Sequence, residues 1–456
     1  MKKIKLLLTM AVIVFATMIC YSMSAFALTE GDWEFKLLNN EVTITKYIGE
    51  NENVVVPETI AGLPVTYLDG DTFFRVPNAK SIKSVEIRAN IKELAKNQFF
   101  IKENLETVVL PEGIEVIPEA AFFECTALKN INIPSTVKTL EFKAFFGCKA
   151  LTDITLPAGI ESIGQSAFEG TGLKEIDLSN VKKGYGDLSF GHCKNLESVT
   201  LSAYVNKLPL NMFAGCEALK SVEIPNGVEY IGEQAFYLCS SLESVILPSS
   251  LKEIDYKTFS KTNLKSVIIP YGVTFISSHA FRECKNLEAI YIPDTVTKML
   301  LNPFEDDKNA IVYCSAGSYA EQYCREKEVS YLTDNSVNSG IHVFYNGKRI
   351  SFHSYGQNPE ILEGRTLVPL RSIFEAMGAD VEWDGTTSTA IAKRGNVEVK
   401  MTIGANEIYK NGKAVPVDVP AMLLNSRTMV PARVIAEAFG ADVDWNGNGR
   451  VVLITE

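Results

Sequence analysis

A repeating unit of 22 or 23 residues constrains this 456-residue chain more than any other feature. Each unit opens with an aliphatic anchor, has apolar residues at positions +3 and +5, usually Pro at +6, and always Phe at +17. The anchors are Ile82, Leu105, Leu128, Leu151, Leu173, Leu196, Leu219, Leu242, Leu264 and Leu287. The Phe column is Phe99, Phe122, Phe145, Phe168, Phe190, Phe213, Phe236, Phe259, Phe281 and Phe304.

A unit this short predicts a stacked repeat. A coil of about 23 residues cannot bury its own apolar face, so each coil must pack on its neighbours and share one continuous core. The opening L-x-x-I-x-L predicts a short strand with +3 and +5 inward and +2 and +4 outward. Pro at +6 ends that strand, because it has no N–H to donate. The expected fold is therefore a repeat solenoid of short parallel β-strands.

Units such as LKSVEIPNGVEYIGEQAFYLCSS, which begins at Leu219, resemble the leucine-rich repeats of BspA-like bacterial surface proteins. With the flanking segments included, the resemblance covers residues 40–332. It implies an N-terminal cap at 28–81 and a leucine-rich-repeat solenoid with a C-terminal cap at 82–332. Position +8 departs from ordinary leucine-rich repeats, so no buried Asn ladder is expected. Its occupants include Gly113, Thr136, Gly159, Val181 and Tyr204.

Six of the nine cysteines share position +20, namely Cys125, Cys148, Cys193, Cys216, Cys239 and Cys284. An even set of cysteines in a secreted protein permits a disulfide framework. One Cys per coil, replaced by Thr171 and Thr262 in the shorter coils, favours a column of small buried side chains instead. Free buried thiols are the prediction. Cys314 and Cys324 lie outside the column, and a disulfide between them is an open alternative.

Residues 1–27 have the pattern of a secretory signal peptide. A basic start precedes an apolar run from Leu6 to Cys20, and Ser24–Ala27 is a small-x-small cleavage site. A retained anchor helix is the alternative, but the run is shorter than the roughly 20 residues that a membrane span needs. We expect a secreted protein with no membrane span after signal removal.

The charge of the chain argues against a nucleic-acid partner. The whole chain has 44 Lys and Arg against 55 Asp and Glu, a formal charge of -11. Removal of the signal peptide takes away three Lys and leaves 41 against 55, or -14. Binding to a polyanionic nucleic acid would need a basic patch that these totals do not indicate.

The periodicity changes after a polar segment at 333–340 that is predicted to be a linker. GRTLVPLRSIFEAMGADVEWD (364–384) and SRTMVPARVIAEAFGADVDWN (426–446) are two copies of one motif, offset by 62 residues. Each predicts a helix, with Pro369 or Pro431 at its first turn and Gly378 or Gly440 just past its end. An alternating strand follows each helix. A small α+β domain is therefore expected at 341–456.

This C-terminal module resembles the copper-amine-oxidase N-terminal-like, or stalk, domain of secreted bacterial proteins. Oxidation by that enzyme class needs a Tyr in an N-Y-[DE]-Y setting and three copper-binding His that include an H-x-H pair, and the sequence has neither. The resemblance therefore implies a non-catalytic, wall-associated module. The four His are isolated and are predicted to be structural or surface residues: His192, His279, His342 and His353.

Other chemistry is not indicated. The sequence has no nucleophile motif, Cys-x-x-Cys zinc pair or phosphate-binding loop. We predict no enzyme activity, no catalytic residues, no metal site and no cofactor.

The outward +4 column holds the candidate binding residues. It runs Glu86, Val109, Asn132, Thr155, Asp177, Thr200, Glu223, Ile246, Ile268 and Tyr291. Its last three members are apolar, and an exposed apolar strip can mark a partner site. The hypothesis is that Ile246, Ile268 and Tyr291 form part of a protein-binding patch. The alternative is that they suit the strand, or are covered by the cap or the C-terminal module.

A second irregularity lies at Ser179–Cys193, where the strand-ending Pro is lost and Lys182-Lys183 interrupts an acidic array. Drift of the repeat and a ligand-facing loop are both open explanations.

The sequence as a whole predicts a secreted or cell-surface recognition or adhesion protein without enzyme activity. BspA-like relatives bind host matrix proteins or mediate attachment, so the resemblance implies a host or matrix protein ligand for the solenoid and a wall-associated spacer role for the stalk module. A cell-wall polymer is the other expected partner. The alternative is a cell-envelope scaffold or glycan-binding protein without a host protein ligand.

Overall fold

The computed structural model describes residues 27–73, 81–307, 309–333, 337, 340–346, 348–350, 352, 357–362, 364–446 and 450–456. The predicted signal peptide, except Ala27, lies outside these residues, as do His353 and most of the predicted linker. The described chain forms two compact units. Unit 1 holds the chain up to Val222 with Ile231–Leu242 and Thr258–Thr262, and unit 2 holds Glu223–Tyr230, Glu243–Lys257 and Asn263–Glu456.

Unit 1 begins with a five-stranded sheet of order β1-β2-β3-β6-β5, in which β3 and β6 are parallel and the other pairs antiparallel. Its strands are β1 Leu28–Glu30, β2 Trp33–Leu38, β3 Glu41–Tyr47, β5 Thr59–Ile60 and β6 Leu63–Leu68. The intervening strand β4 Asn53–Val56 pairs instead with the first strand of the repeat. The cap extends the aromatic column of the repeat, because Phe73 stacks on Phe99 at 5.2 Å between ring centroids.

Two short strands recur in the coils, at about +2 to +4 and at +11 to +12. The first set is β7 Ser84–Ile87, β8 Thr107–Val109, β10 Asn130–Ile131, β13 Glu175–Asp177, β15 Ser198–Thr200, β17 Ser221–Glu223, β19 Ser244–Ile246, β21 Ser266–Ile268 and β23 Ala289–Ile292. The second set is β9 Val116–Ile117, β11 Thr139–Leu140, β12 Ser162–Ile163, β14 Gly184–Tyr185, β16 Lys207–Leu208, β18 Tyr230–Ile231, β20 Glu253–Ile254, β22 Phe275–Ile276 and β24 Lys298–Met299.

The strands of neighbouring coils pair in parallel, as predicted, in ladders such as β4-β7-β8-β10 and β9-β11-β12-β14 of unit 1. The second strand of each coil was not predicted. Its sequence signal is an apolar residue at +12, as in Ile117, Leu140 and Ile163, each of which is buried. Two residues are too few to show the period-2 alternation that identifies a strand.

Phe at +17 forms the centre of the core. From Phe99 to Phe259, consecutive rings of unit 1 stack at 5.1 to 5.7 Å between centroids, and all of them are fully buried. Unit 2 has a corresponding pair, Phe281 and Phe304, at 6.1 Å. Large aromatic side chains dominate core energetics, so this column supplies much of the burial that a single coil lacks.

The turn around each Phe is left-handed at +15 and +19. Ala120 and Glu124, for example, have φ of 52° and 51°. The amide of Ala120 donates to the carbonyl of Phe142 at 2.9 Å, and that of Glu124 to the carbonyl of Phe146 at 2.7 Å. A non-glycine residue with positive φ is strained and persists where the surroundings determine it. Stacking on the next coil supplies those surroundings.

The cysteine column contains thiols, as predicted. The eight cysteines of the described residues form no disulfide and are all buried, including Cys314 and Cys324. Cys125 Sγ donates to the carbonyl oxygen of Phe99 at 3.0 Å, and Cys216 Sγ to that of Phe190 at 3.2 Å. Burial raises the pKa of the Cys193 thiol to about 11, so the column is chemically inert in the folded state.

Position +8, where no Asn ladder was expected, contains a different bridge. Thr136 Oγ1 accepts from the amide of Gly113 at 3.0 Å and donates to the carbonyl of Ile114 at 2.7 Å. Ser250 makes the same two bonds to Gly227 and Val228 in unit 2. Gly113 has φ of 99°, a conformation that favours glycine. A Gly followed one coil later by a hydroxyl residue therefore replaces the ladder.

Unit 2 closes the repeat with the parallel sheet β21-β23-β25-β26 and one helix. The added elements are β25 Ile311–Cys314, α1 Tyr319–Glu326 and β26 Tyr331–Thr333. Ser318 caps α1, since its hydroxyl accepts from the amide of Glu321 at 3.2 Å.

The C-terminal module of unit 2 consists mostly of strands. They are β27 His342–Tyr345, β28 Lys348–Arg349, β29 Glu360–Leu362, β30 Arg365–Pro369, β31 Asp380–Asp384, β32 Thr389–Arg394, β33 Val397–Thr402, β34 Glu407–Lys410, β35 Lys413–Pro416, β36 Met422–Leu424, β37 Arg427–Pro431, β38 Asp442–Asn446 and β39 Val451–Thr455. The helices are α2 Leu370–Ala376 and α3 Ala432–Ala438, and each follows a Pro as predicted.

The two motif copies in the module are related by a local twofold axis. Strands β30 and β37 pair antiparallel with Val368 opposite Val430. Leu367 is opposite Pro431 and Pro369 is opposite Met429. Since Met429 matches Leu367 and Pro431 matches Pro369 in the two copies, the second pair is the first with the copies interchanged. Both copies contribute to a single core, in which Phe374 packs edge to face on Phe439 at 5.5 Å.

Candidate binding surfaces

The outward face of the first strand set in unit 1 varies from coil to coil. Alternation along the strands places Val108 and Ile176 in the core, while Val109, Asp177 and Thr200 project outward and are exposed. The side chains that face solvent therefore include apolar, hydroxyl and acidic groups on one regular backbone. This variation is what a binding surface on a repeat requires.

The ladder on this face is interrupted at the coil of Leu151. Residues 152–156, which the structure describes in full, contain no strand. Strand β10 ends at Ile131, because the Asn132 side chain then bonds both the amide and the carbonyl of Leu110, at 2.8 and 2.9 Å. A Cβ on Gly172 would lie 2.2 Å from the carbonyl oxygen of Lys149, so the tight passage into the next coil requires glycine.

Two adjoining grooves open at this interruption, and only the smaller one exposes more polar than apolar surface. One, of about 1040 Å³, is lined by Asn130, Asn132, Asp153, Thr155 and neighbouring residues. The other, of about 350 Å³, shares Asp153 and Thr155 and adds Asp177, Asn180 and Thr200 with others. The sequence showed the outward column but not its interruption. The shorter spacing from Leu151 to Leu173 is no sufficient signal, because the equally short coil of Leu242 contains strand β19.

The irregular segment Ser179–Cys193 borders the smaller groove. The Ser179 amide donates to Asp177 Oδ1 at 2.9 Å, which turns the chain where Pro is absent. Lys183 forms an ion pair with Glu161 at 2.5 Å. The amide of Ser202 donates to the hydroxyl oxygen of Tyr185 at 3.1 Å, and burial raises the pKa of that phenol to about 12. Most of the segment thus has structural contacts, and Asn180 is its contribution to the groove.

The three apolar candidates differ in exposure. Ile246 and Ile268 are half-buried on the outward face of β19 and β21. Tyr291 is only 8% exposed, which corrects the expectation that all three project to solvent. Its ring stacks on Tyr313 at 4.8 Å, and Phe344 and the Arg349 guanidinium lie 6.4 and 4.8 Å from its centroid. Residues of the cap and of β27 and β28 therefore cover Tyr291.

The described histidines occupy structural or surface positions. His192 and His279 take the left-handed positions +19 and +15, with φ of 57° and 60°, and His tolerates that conformation. His279 Nε2 lies 3.0 Å from Glu305, and buried His342 accepts from Arg349 Nε at 3.1 Å. Among the residues that the structure describes, no three His, Cys, Asp or Glu side chains cluster as a metal site requires.

The helices of the described chain include none that combines the length and apolarity needed to cross a membrane.

Comparison with known proteins identifies both parts of the sequence. The BspA type leucine rich repeat region matches residues 70–193 and 183–311, and the copper amine oxidase N-terminal domain matches residues 344–454. None of the proteins with curated descriptions matches the sequence.

Solved structures of bacterial leucine-rich repeat proteins are similar to the chain. A leucine-rich repeat protein from Bacteroides ovatus is 23% identical with a TM-score of 0.53, over 70% of this chain and 82% of that one. A leucine rich cell surface protein from Faecalibacterium prausnitzii is 25% identical with a TM-score of 0.41, over 66% and 98%. The leucine rich repeat protein of T. pallidum is 26% identical with a TM-score of 0.35, over 48% and 92%.

The first likeness shows the fold alone, and with the family match it confirms the predicted class, a leucine-rich-repeat solenoid followed by a small α+β domain. That domain is composed mostly of strands. The chain belongs to the BspA-type leucine-rich repeat family, and its C-terminal part is a copper amine oxidase N-terminal domain.

Proposed function

We propose that this chain is an exported recognition or adhesion protein without catalytic activity. Its repeats would present the binding surface, and its C-terminal module would hold or space it at the cell wall. Membership of a family of surface leucine-rich repeat proteins supports a binding role.

The observation that carries the proposal is the pair of grooves at the coil of Leu151, of which the smaller has a polar lining. Asp153 and Asp177 are exposed there, and hydroxyl groups of Thr155 and Thr200 lie beside them. A rim of carboxylates and hydroxyls on a rigid stack suits a polar or basic segment of a protein ligand, because such groups can pair with its cations and amides.

A pull-down with the full chain tests this role. Purified matrix proteins and purified cell-wall material would be offered to the wild type and to a variant with Asp153→Ala and Asp177→Ala. The control variant, Glu115→Ala with Glu124→Ala, removes the same charge from exposed positions outside the grooves. We expect the groove variant to lose at least about tenfold in affinity for a retained protein, an effect of the size of an interface hot spot.

Two outcomes would contradict the proposal. Equal retention of the protein ligand by the groove variant and the control variant would show that the grooves do not bind it. Enrichment of cell wall alone, with no protein ligand, would instead favour an envelope scaffold or glycan-binding protein.

The apolar pair Ile246 and Ile268 is a second proposed contact for a protein ligand, since both are half-buried side chains on outward positions. Binding that is undiminished after Ile246→Ser and Ile268→Ser would eliminate it. Tyr291 is left unchanged in this variant, because its substitution would disturb the cap that covers it.

A further inference from the structure

The two motif copies of the C-terminal module agree more on the surface than in the core. Several buried pairs have changed between copies: Leu370 and Ala432, Phe374 and Ala436, Met377 and Phe439. Most exposed pairs are identical, although Glu382 is matched by Asp444. The identical pairs are Arg365 and Arg427, Arg371 and Arg433, Glu375 and Glu437, Asp380 and Asp442, Trp383 and Trp445. Some of the charged members form ion pairs within the module, such as Arg371 with Glu375 at 4.0 Å. Ion pairs cannot account for the tryptophans, whose recurrence points to a contact with something outside the module.

The tryptophans are the clearest members of this set. Trp383 is 47% exposed and Trp445 is 36% exposed, and neither belongs to the buried core cluster. Leaving much of an indole in water forgoes one of the largest gains available from burial. Each copy nevertheless has a partly exposed Trp at the same position of the strand after its helix, in β31 and in β38. The cross-strand partners, Ala390 and Val452, are buried core residues, so part of each indole covers the core and the rest faces solvent.

Trp383 lies in a groove of about 600 Å³. Arg371 and Glu382 of the first copy line it, together with Arg427 and Thr428 of the second and Leu423 of the preceding strand β36. Trp383 is opposite Ala390 in the sheet, and that small partner leaves room beside the indole. Leu423 is 59% exposed, and Arg371 and Arg427 are exposed. Glu382 lies 3.5 Å from Lys393, which offsets its charge.

The charges of the chain favour an anionic ligand at this module over the repeats. Residues 341–456 contain 12 Lys and Arg against 13 Asp and Glu, whereas residues 28–340 contain 29 against 42. A polyanion is therefore repelled by the repeats and far less by the module. Guanidinium groups bind carboxylate and phosphate in a bidentate manner, and an exposed indole offers an apolar face on which the C–H face of a sugar ring packs.

From this geometry we infer that the Trp383 groove is a binding site for an acidic polysaccharide, with Trp383 under a sugar ring and Arg371 and Arg427 on its anionic groups. The inference rests on the wall-tethering role proposed above and names the polymer class that the module would hold. The local twofold axis gives Trp445 the matching set Arg433 and Arg365, so a repeating polymer meets a repeated site and gains from avidity.

The surroundings of the two tryptophans differ. Trp445 is opposite Val452, which is larger than the Ala390 opposite Trp383 and leaves less room beside the indole. We therefore expect the Trp383 groove to provide most of the affinity.

Affinity electrophoresis of the full chain tests the inference, with gels that contain polygalacturonate, a glycosylated wall teichoic acid, or neutral dextran. We expect retardation by an acidic polymer and not by dextran. Trp383→Ala, or Arg371→Gln with Arg427→Gln, should weaken binding by about tenfold or more, and Trp445→Ala by less. Tyr409→Ala is the matched control, because Tyr409 is an exposed aromatic residue of the same module that does not line the groove.

Retardation by polygalacturonate alone would assign a uronate ligand, and retardation by teichoic acid alone a phosphodiester ligand; either supports the site. Equal retardation by dextran, no retardation by any acidic polymer, or binding by Trp383→Ala as tight as that of the Tyr409→Ala control would overturn it. Circular dichroism of each variant confirms folding. The Asp153 and Asp177 variant should retain full polysaccharide binding, so failure of the repeat surface and failure of this groove are distinguishable.

Discussion

The coils of the repeat and the two copies in the C-terminal module are both duplicated sequences, yet their variation is distributed differently between core and surface. In the coils, the buried Phe at +17 never changes, whereas the outward +4 position takes ten residues of mixed chemistry. In the module, buried Leu370 and Phe374 become Ala432 and Ala436, while exposed Arg371 and Trp383 are kept as Arg433 and Trp445.

The symmetry of each arrangement explains the difference. A stacked coil meets a copy of itself at a nearly constant rise, so each ring must match the ring of the next coil. Two copies about a twofold axis share one core, where a large residue of one copy can be offset by a small residue of the other. Residues that bind a partner can therefore lie at the variable outward positions of the coils and at the retained exposed positions of the module.

Removing one ring of the Phe column should have the largest effect. Phe168→Ala leaves a cavity between Phe145 and Phe190, whose rings lie 5.4 and 5.3 Å from that of Phe168. We expect the free energy of unfolding to fall by about 3–5 kcal/mol, as measured by urea denaturation. Phe142→Ala is the control, since Phe142 is 39% exposed and lies outside the column. A loss no larger than that of the control would show that the stack is not a continuous core.

A smaller but still large loss is expected from Phe374→Ala in the module. Ala already occupies the matching position, Ala436, so two independent half-cores would tolerate the change. Because Phe374 is buried against Phe439 in a core that both copies share, we expect a cost of about 3 kcal/mol, measured by thermal unfolding of the full chain. Adding Ala436→Phe should recover part of this loss, and a neutral Phe374→Ala would refute the shared core.

The repeat was predictable from sequence because its constraint recurs in every unit. The anchors, the Phe column and the buried thiols at +20 all follow from the spacing, and the inward and outward faces of β8 and β13 are as expected. The second strand set was missed, since two residues show no alternation. The +8 bridge was missed because its two bonds join different coils. Gly113 and Thr136 are 23 positions apart, and Thr136 and Ile114 are 22 positions apart.

The candidate sites were less predictable, because they depend on where the regular pattern is broken. The sequence named the outward +4 column but gave its member Thr155 no special weight and did not single out Asp153 at +2, since the strand gap beside them is a tertiary feature. It selected Tyr291, whose cover comes from Tyr313, Phe344 and Arg349, 22 to 58 residues further along the chain. Trp383 and Trp445 are visible in the duplicated motif, but the sequence does not tell whether an indole is exposed or buried in the core.

Loss of the bridge at +8 should have a moderate effect. Thr136→Val removes the hydroxyl that accepts from the amide of Gly113 and donates to the carbonyl of Ile114. We expect a cost of about 1–2 kcal/mol, since both backbone groups lose a partner in a partly buried position. Thr155→Val is the control, because Thr155 is exposed on the outward face. Equal midpoints of urea denaturation for the two variants would show that substitution at +8 costs no more stability than substitution at +4.

The smallest stability effect is expected at the charged surface of the coils, and its pH dependence identifies it. Lys220 donates to Glu197 at 2.8 Å between exposed side chains. This hydrogen bond, and then the charge of Lys220, lower the pKa of the Glu197 carboxyl, and the same pair raises the pKa of Lys220. A lowered carboxyl pKa gives stability that is present above the unfolded pKa and lost as pH falls through the folded one. A raised Lys pKa gives stability that is present below the unfolded pKa and lost as pH rises through the folded one.

The contribution of this ion pair should therefore be constant between the ordinary pKa values of the two groups, 4.5 and 10.5, and decline progressively beyond them. A double-mutant cycle of Lys220→Met and Glu197→Gln, followed by thermal unfolding at pH 3 and pH 7, should show a smaller coupling at pH 3 than at pH 7. An undiminished coupling at pH 3, or one that exceeds the effect of Thr136→Val, would mean that the outward face of the coils is as constrained as their core, and the contrast with the module would fail.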